Sequence, residues 1–408
     1  MIERVGVLGA GVMGAGIAAH VASTGVKVRL LDIVPGAAVR AVNAMLAAGP
    51  APVLHRSDAS LIEPGDLHAD FGKLADCDWI VEAIFERRNA KRDLYARLDE
   101  VRKVGSIVSS NTSTIRLAAL TNGLGACLAE DFLITHFFNP PHFMPLLELV
   151  VGRATRPEAV DAIRAFVGET LGKTVILCAD TPGFIVNRIG VFWIASARRH
   201  AIDLCLTVEE ADAVAGKPFG VPESGIFGHM DEQGIDRIEE LAKSLLTALP
   251  PGDAFHAVYR EEPVVTRLMV EGRTGRRAKG GFYATRADGE ACVLDLVSGD
   301  YRPARKVALD SLETHATDLR ALAGHPDRGG RYARAVLLDT LSYAASLVPA
   351  IADSREAVDT AMRLGLGWTW GPFELIKRVG PAWLAAALRA DGRPVPEMLE
   401  SVGAEAVG

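Results

Sequence analysis

VGVLGAGVMGAGIAAHVASTGVKVRLLD, at residues 5–32, is the stretch that decides the fold. The apolar run Val5–Leu8 predicts a strand, a glycine-rich turn follows it, and a helical stretch continues to Ser23. The turn fits G-x-G-x-x-G, in which successive glycines allow a tight turn, close approach of a pyrophosphate, and close packing of the helix on the strand. The predicted cofactor-binding residues in this turn are Gly9, Gly11, Met13 and Gly14.

The acidic residue that ends the second predicted strand indicates which dinucleotide the turn binds. Asp32 follows Gly14 at nearly the spacing of about 20 residues that is usual for this fingerprint. A carboxylate there accepts hydrogen bonds from ribose hydroxyls and repels a 2′-phosphate, and the next residues, Ile33 and Val34, offer that phosphate no arginine. We therefore predict NAD, not NADP, as the cofactor.

Residues 1–180 alternate short apolar runs with helical stretches, which is the pattern of a parallel sheet covered on both faces. The predicted strands are Val5–Leu8, Val26–Leu31, Trp79–Val81, Ser106–Ser109, Phe132–Thr135 and Val175–Cys178. After Asp180 helical patterns dominate, beginning with the apolar stretch Ile185–Leu206. We therefore expect an α/β Rossmann domain, with a mostly parallel, doubly wound sheet, followed by a helical region.

The helical region contains a weak internal repeat. EEADAVAGKPFGVPESGIF, from Glu209, aligns with REAVDTAMRLGLGWTWGPFEL, from Arg355. The alignment matches Asp212 with Asp359, Gly220 with Gly367 and, after a slip of one residue, Gly234 with Gly380. Matching glycines at a long, nearly fixed offset indicate duplication of a structural unit.

A long apolar helix also opens each copy, at Ile185–Leu206 and at Tyr332–Val348. We therefore predict two all-α domains related by duplication. The predicted domain boundaries are 1–181 for the Rossmann domain, 182–300 for the first helical domain and 301–408 for the second.

Composition excludes several function classes. The 408 residues include 44 basic and 51 acidic side chains, and a net charge of -7 argues against a nucleic-acid partner. The longest run without charged or strongly polar side chains, Val5–Ala19, is too short for a membrane span. The 5 cysteines are far apart and form no CxxC pair, which favours a reducing compartment. We predict a cytoplasmic protein without a metal site.

Three polar segments follow the ends of predicted strands, where open α/β sheets bind their ligands. They are SSNTSTI at 109–115, THFFNPPHFMPLLELV at 135–150 and DTPGFIVNRI at 180–189. Glu148 lies in an otherwise apolar run, so its carboxylate needs a polar partner, and His136 would serve. Ser113 and Asn187 are short polar residues able to hydrogen-bond a substrate oxygen.

Each of these four residues also admits a structural role. His136 could be a core histidine, and Glu148 could pair with Arg188 or Arg153. Ser113 could cap a helix that begins after it, and Asn187 could satisfy a turn.

These motifs, in this order and spacing, resemble the 3-hydroxyacyl-CoA dehydrogenase family over residues 1–381. The resemblance is greatest to long-chain members, whose two C-terminal helical domains are tandem copies. It implies NAD-dependent oxidation of (3S)-3-hydroxyacyl-CoA to 3-oxoacyl-CoA, a step of fatty acid β-oxidation. In this reaction His136 would be the general base, Glu148 would orient its imidazole, and Ser113 and Asn187 would hold the substrate oxygen.

The resemblance also implies further cofactor contacts. They are Glu86 and Lys91 in VEAIFERRNAK, Asn111 in SNTS, Asn139 in HFFNP and Arg277 in GRRAKGGFY. The family usually carries Lys-Thr-Gly before GFY, so the last of these positions departs from the pattern. Glu86 and Lys91 could instead be a solvated pair on a helix, although they are not at the ideal i,i+4 spacing.

The resemblance implies an acyl-CoA substrate and no nucleic-acid partner. We expect either a monomer built as an internal pseudo-dimer or a homodimer, and association with an enoyl-CoA hydratase or a thiolase is a further expectation. Two rival functions are a dehydrogenase of 3-hydroxy acids that lack CoA and a non-catalytic, NAD-binding structural protein.

Overall fold

The computed structural model describes residues 2–47, 55–286 and 288–400 of the chain. The chain divides into two compact units, Met1–Phe184 and Ile185–Gly408. In the described parts, no helix has the length and apolar character that crossing a membrane requires.

In the described part of the first unit, eight strands form one sheet in the order β3-β2-β1-β4-β5-β6-β7-β8. Their bounds are β1 Arg4–Leu8, β2 Lys27–Asp32, β3 Ile62–Asp66, β4 Trp79–Glu82, β5 Ile107–Ser110, β6 Phe132–Phe137, β7 Leu146–Val151 and β8 Thr174–Cys178. Among the described strands of this sheet, β6 and β7 are the one antiparallel pair. The strand order reverses between β1 and β4, and ligands of such sheets bind at the carboxyl ends of the strands beside this point.

Helices connect most of these strands, and the apolar residues of the inner strands are buried, whereas Leu177 on the edge strand β8 is exposed. The helices are α1 Val12–Ala22, α2 Ala37–Ala47, α3 Arg56–Ala59, α4 Arg88–Val101, α5 Leu117–Thr121, α6 Ala126–Glu130 and α7 Pro157–Ala165. The predicted Rossmann domain is thus confirmed. The prediction missed two strands, β3 and β7. The sequence of β3, IEPGD, contains a proline and a glycine, which strands tolerate at a sheet edge, where β3 lies. The apolar run Leu146–Val151 was not assigned to a strand, although it forms β7 and pairs antiparallel with β6.

The second unit is mainly helical, as predicted. Its helices are α8 Val186–Asp203, α9 Val208–Val214, α10 Gly225–Gln233, α11 Ile235–Ala248, α12 Phe255–Val258, α13 Pro263–Val270, α14 Asp310–His315, α15 Leu319–Gly324, α16 Arg328–Leu347, α17 Arg355–Leu366, α18 Pro372–Val379 and α19 Pro381–Ala390. It also contains a small antiparallel sheet that the sequence analysis did not anticipate, formed by β9 Tyr283–Thr285, β10 Ala291–Leu294 and β11 Tyr301–Pro303.

The two long helices α8 and α16 pack against each other inside the second unit. The ring of Phe192 on α8 stacks on Tyr343 of α16, with their centroids 3.8 Å apart. On the same two helices, Asp339 accepts hydrogen bonds from Ser196 at 2.7 Å and from the ring of His200 at 2.8 Å.

The glycines matched by the predicted repeat have nearly the same backbone conformation. Gly220 lies at φ 69°, ψ 24° and Gly367 at φ 70°, ψ 23°, both in the left-handed region that favours glycine. Gly234 lies at φ 102°, ψ 117° and Gly380 at φ 89°, ψ 119°. The division of the second unit into two separate domains stays a prediction.

Candidate active site

The glycine turn after β1 leaves open space only at its second glycine. A Cβ on Gly9 would lie 2.6 Å from the carbonyl oxygen of Ala83, and one on Gly14 would lie 1.8 Å from that of Gly9. A Cβ on Gly11 would meet nothing within 4 Å among the described residues. Gly9 and Gly14 therefore allow close backbone packing, while Gly11 lets a ligand approach the turn.

Helix α1 begins directly after this open position. Gly11 is its N-cap and provides no side-chain cap, so the first-turn N–H groups, with Met13 among them, are available to an anion. The Asp32 carboxylate is fixed beside the turn because it accepts hydrogen bonds from the N–H groups of Ala10 at 2.6 Å and Val34 at 2.8 Å. An open cradle of backbone amides next to a fixed carboxylate fits the pyrophosphate and a ribose of NAD.

The predicted pair of His136 and Glu148 meets across the antiparallel strands. His136 on β6 lies directly opposite Glu148 on β7, so both side chains stand on the same face of the sheet. The imidazole Nδ1 is 2.7 Å from the Glu148 carboxylate, which is completely buried. A carboxylate at Nδ1 keeps the proton on that nitrogen, so Nε2 presents a lone pair.

The surroundings of His136 are apolar. The residue is 6% exposed, and the rings of Phe138 and Phe184 lie 4.5 and 5.7 Å from the imidazole centroid. Among the described residues, no protein group forms a hydrogen bond with Nε2. The geometry therefore leaves one basic nitrogen in a largely water-excluded setting.

Ser113 lies in the loop that follows β5 and does not cap a helix. Helix α5 begins at Leu117, and the N–H groups of Leu117 and Ala118 donate to the carboxylate of Asp180 at 2.6 and 2.9 Å. The helix-capping alternative for Ser113 is therefore wrong. Its own N–H donates to Glu86 at 3.1 Å, and its hydroxyl has no hydrogen-bond partner in the described parts of the chain.

Asn111 joins this loop to the strand that carries His136. Its side-chain oxygen accepts a hydrogen bond from the N–H of Phe137 at 2.8 Å. The carboxyl ends of β5 and β6 are therefore tied together, and the Ser113 loop and His136 lie at the same sheet edge. Asn139 is next along this edge, before a cis bond to Pro140.

Lys91 is not on a solvated helix surface. Its side chain is 1% exposed, and its ammonium lies 2.7 Å from the Glu82 carboxylate and 3.2 Å from that of Glu86. The solvated-pair alternative is therefore wrong for Lys91. Burial alone would raise the pKa of Glu86, but the Lys91 charge and hydrogen bonds from the loop outweigh burial and lower this pKa below its usual value.

Sequence reasoning missed the buried group that holds Lys91. Glu82, at the end of β4, is completely buried and also accepts hydrogen bonds from the Tyr95 hydroxyl at 2.5 Å and the Ser110 hydroxyl at 2.7 Å. A signal was present, because WIVE ends an apolar strand with an acidic residue, as LLELVV encloses Glu148.

The remaining predicted site residues belong to the second unit. Asn187 is half-buried in the first turn of α8. Arg277 is exposed in a loop that is closed by a bridge between Gly275 and Gly280. Their roles stay predictions.

Comparisons with known proteins agree with this organisation. A family model described as 3-hydroxyacyl-CoA dehydrogenase, NAD binding domain, matches residues 4–181. A model described as 3-hydroxyacyl-CoA dehydrogenase, C-terminal domain, matches residues 183–285 and 330–402.

Curated relatives cover the chain almost completely. A putative fatty acid oxidation complex trifunctional enzyme of Rickettsia felis is 34% identical over 406 residues, which is 97% of this chain and 56% of that protein. A probable 3-hydroxyacyl-CoA dehydrogenase of Bacillus subtilis is 34% identical over 429 residues, 98% of this chain and 54% of that protein. The chain thus spans little more than half the length of these relatives.

A shorter relative and a solved structure complete the comparison. A probable 3-hydroxyacyl-CoA dehydrogenase of Deinococcus radiodurans is 37% identical over 71% of this chain and 85% of that protein. The crystal structure of 3-hydroxybutyryl-CoA dehydrogenase from Escherichia coli K12 superposes with a TM-score of 0.76 at 24% identity and covers 98% of both chains. At that identity the superposition shows a shared fold.

Proposed function

The chain belongs to the 3-hydroxyacyl-CoA dehydrogenase family, and on this premise we propose that it oxidises (3S)-3-hydroxyacyl-CoA to 3-oxoacyl-CoA with NAD. The observation that carries the proposal is the buried pair of Glu148 and His136, on a strand whose carboxyl end Asn111 ties to the start of the Ser113 loop. A positioned imidazole whose other nitrogen can accept a proton suits removal of a proton from a substrate alcohol.

His136 takes the proton of the substrate's 3-hydroxyl on Nε2. Glu148 accepts the Nδ1–H bond throughout and stabilises the imidazolium that results. NAD, when bound, supplies the acceptor for the hydride that leaves C3. Phe138 and Phe184 limit access of water to the imidazole, which strengthens its interaction with the carboxylate.

Ser113 and Asn187 hold the substrate oxygen in this proposal. Both offer hydrogen-bond donors, and preorganised donors stabilise the negative charge that develops on oxygen as its proton leaves. Thr114 and Ser113 donate their N–H groups to Glu86 at 3.2 and 3.1 Å, so the loop that presents the Ser113 hydroxyl is fixed before substrate arrives.

The proposed cofactor contacts follow from the glycine turn and the adjoining strand ends. They are Gly9, Gly11, Met13, Gly14, Asp32, Glu86, Lys91, Asn111, Asn139 and Arg277. The turn and Asp32 fit NAD by their geometry, and the other members rest on the family resemblance.

The names of the relatives support a role in fatty acid oxidation. The Rickettsia felis protein is named as a trifunctional enzyme of a fatty acid oxidation complex, and this chain matches 56% of its length. We therefore propose a β-oxidation step in the cytoplasm and association with an enoyl-CoA hydratase or a thiolase. A hydratase would supply the 3-hydroxyacyl-CoA, and a thiolase would consume the 3-oxoacyl-CoA.

The test measures NADH formation from (3S)-3-hydroxybutyryl-CoA, from longer 3-hydroxyacyl-CoA thioesters and from free 3-hydroxybutyrate, with NAD and with NADP. We expect turnover of thioesters with NAD. The His136→Ala variant should lose on the order of 10²–10⁴-fold in kcat, the usual contribution of a general base. The matched control is His68→Ala, which removes an exposed histidine of the same unit and should retain activity.

Three outcomes would contradict the proposal in different ways. Turnover of free 3-hydroxybutyrate without turnover of any thioester would favour the rival dehydrogenase of free acids. NAD binding without turnover of either substrate would favour the non-catalytic rival. Unchanged turnover in His136→Ala would refute the assignment of the base alone.

A further inference from the structure

A buried charge network lies beneath the loop that carries Ser113. Glu82 is its central member, with no exposed surface, and each of its carboxylate oxygens accepts two hydrogen bonds. Oε1 accepts from the Lys91 ammonium at 2.7 Å and the N–H of Ile84 at 2.8 Å. Oε2 accepts from the hydroxyls of Tyr95 at 2.5 Å and Ser110 at 2.7 Å. A buried carboxylate with this many donors is held in one position.

One branch from Glu82 reaches the loop through Ser110. A hydroxyl has one hydrogen to donate, and Ser110 directs it to Glu82, so its oxygen is left as an acceptor. That oxygen accepts the N–H of Thr112 at 3.2 Å. The carboxylate of Glu82 therefore fixes which way the Ser110 hydroxyl points, and thereby the start of the loop.

The second branch runs through Lys91 and Glu86. Lys91 lies between two carboxylates, 2.7 Å from Glu82 and 3.2 Å from Glu86. Glu86 Oε1 in turn accepts the N–H groups of Ser113 and Thr114 and the hydroxyl of Thr112. Glu86 is 32% exposed, so it is Lys91, buried and held by Glu82, that anchors this carboxylate under the loop.

We propose that Glu82 is a positioning residue for the reaction, which holds Ser113 in place through Ser110 on one side and through Lys91 and Glu86 on the other. The inference rests on the proposed function, because it assumes that the Ser113 hydroxyl holds the substrate oxygen. Glu82 itself touches neither substrate nor cofactor. A neutral amide in its place would put an NH2 group where one oxygen accepts two hydrogen bonds, and would remove the negative charge that holds Lys91, so both branches would loosen.

The first test is a double-mutant cycle with Ser113→Ala. Glu82→Gln alone should lower kcat on the order of tenfold, because a tenfold change corresponds to about the free energy of one hydrogen bond. In the Ser113→Ala background the same change should lower kcat by less than twofold, because the group that it positions is gone. Equal factors in the two backgrounds would overturn the proposal.

Asp131→Asn is the matched control. Asp131 is also a buried carboxylate of this unit, and it pairs with Arg102 at 2.6 Å and Arg156 at 2.5 Å beside the opposite end of β6. Any loss that it causes through general destabilisation should be the same with and without Ser113. If Glu82→Gln does not fold, Ser110→Ala breaks the first branch alone and should show the same dependence on Ser113.

A second readout needs no turnover and therefore separates this inference from the proposed function. Hydrogen exchange of residues 111–115 should become on the order of tenfold faster in Glu82→Gln and stay unchanged in Asp131→Asn. If the wild-type protein turns over no 3-hydroxyacyl-CoA, the proposed function fails while this readout still decides whether Glu82 holds the loop. Unchanged exchange in Glu82→Gln would refute the inference.

Discussion

Glu148 in the first unit and Asp212 in the second are both buried carboxylates, but they have different partners. Glu148 has a carboxylate oxygen 2.7 Å from a histidine ring whose other nitrogen forms no hydrogen bond within the described part of the chain. Asp212 accepts the N–H groups of Phe227 at 2.7 Å and Gly228 at 3.1 Å and the Tyr283 hydroxyl at 2.7 Å. A carboxylate bound to backbone holds a fold, whereas one bound to an imidazole supports proton transfer.

The second unit repeats the backbone arrangement at the position that the internal repeat matches with Asp212. Asp359 accepts the N–H groups of Phe373 at 2.8 Å and Glu374 at 3.2 Å. A Cβ on Gly371 would lie 2.3 Å from the Cα of Asp359, as one on Gly225 would lie 2.4 Å from the Cα of Asp212. The same carboxylate-to-backbone hydrogen bonds are therefore formed twice, although Gly225 lies at φ 64° and Gly371 at φ -73°. Among the described residues, a tyrosine hydroxyl adds to these bonds at Asp212.

The largest expected effect is on stability, in Asp212→Ala. Removing the carboxylate leaves the buried N–H groups of Phe227 and Gly228 without an acceptor and breaks the bond to the Tyr283 hydroxyl. We expect a loss of about 3 kcal/mol in the free energy of unfolding of the second unit. Urea denaturation followed by tryptophan fluorescence measures it. This signal reports mainly the second unit, which holds Trp193, Trp368, Trp370 and Trp383.

Asp359→Ala is the matched control for this comparison. It removes an acceptor from two backbone donors only, so its loss should be smaller by about 1 kcal/mol. A loss as large as that of Asp212→Ala would mean that the Tyr283 bond contributes nothing. Loss of turnover in Asp212→Ala without a shift of the urea midpoint would mean that Asp212 supports the reaction, as proposed for Glu148, and not the stability of the fold.

Glu148→Gln should lower kcat and leave the urea midpoint nearly unchanged, in contrast to the loss of stability expected for Asp212→Ala. The amide oxygen can still accept the Nδ1–H bond, so the fold keeps its hydrogen bond while the charge that stabilises the imidazolium is lost. We expect kcat to fall about 10²-fold, or about 2.7 kcal/mol in activation free energy. NADH affinity, measured by fluorescence, and the urea midpoint should change little. A lowered midpoint with unchanged kcat would make Glu148 a structural residue like Asp212.

The local signals in the sequence predicted the first unit well. A tight turn requires glycine at particular positions whatever surrounds it, so the spacing of Gly9, Gly11 and Gly14 predicted the turn that the structure contains. Glu148 was predicted to need a polar partner because an acidic residue in an apolar run is costly to bury alone. The structure places His136 there because β6 and β7 pair in that register.

Longer-range arrangements could not be predicted from the sequence. Lys91 and Tyr95, both on α4, donate hydrogen bonds to Glu82 at the end of β4. The burial of the Lys91 side chain therefore depends on how α4 packs on β4. The antiparallel strands β9 to β11 are only three or four residues long, so neither length nor alternation distinguishes them from loops. The Tyr283 hydroxyl reaches Asp212 only because this sheet forms.

The smallest expected effect is a difference in pH dependence between Asp212→Asn and the wild type. Burial raises the pKa of Asp212 to about 7, against the hydrogen bonds that it accepts, whereas an unfolded aspartate titrates near 3.8. The folded state therefore binds this proton more tightly, and its stabilisation is complete below the unfolded pKa and is lost as the pH rises through about 7. Between pH 6 and 7 the wild type should lose roughly 1 kcal/mol more stability than Asp212→Asn, since asparagine does not titrate. Parallel urea-midpoint profiles over this range would contradict the prediction and show that the hydrogen bonds donated by the backbone outweigh burial and hold Asp212 ionised.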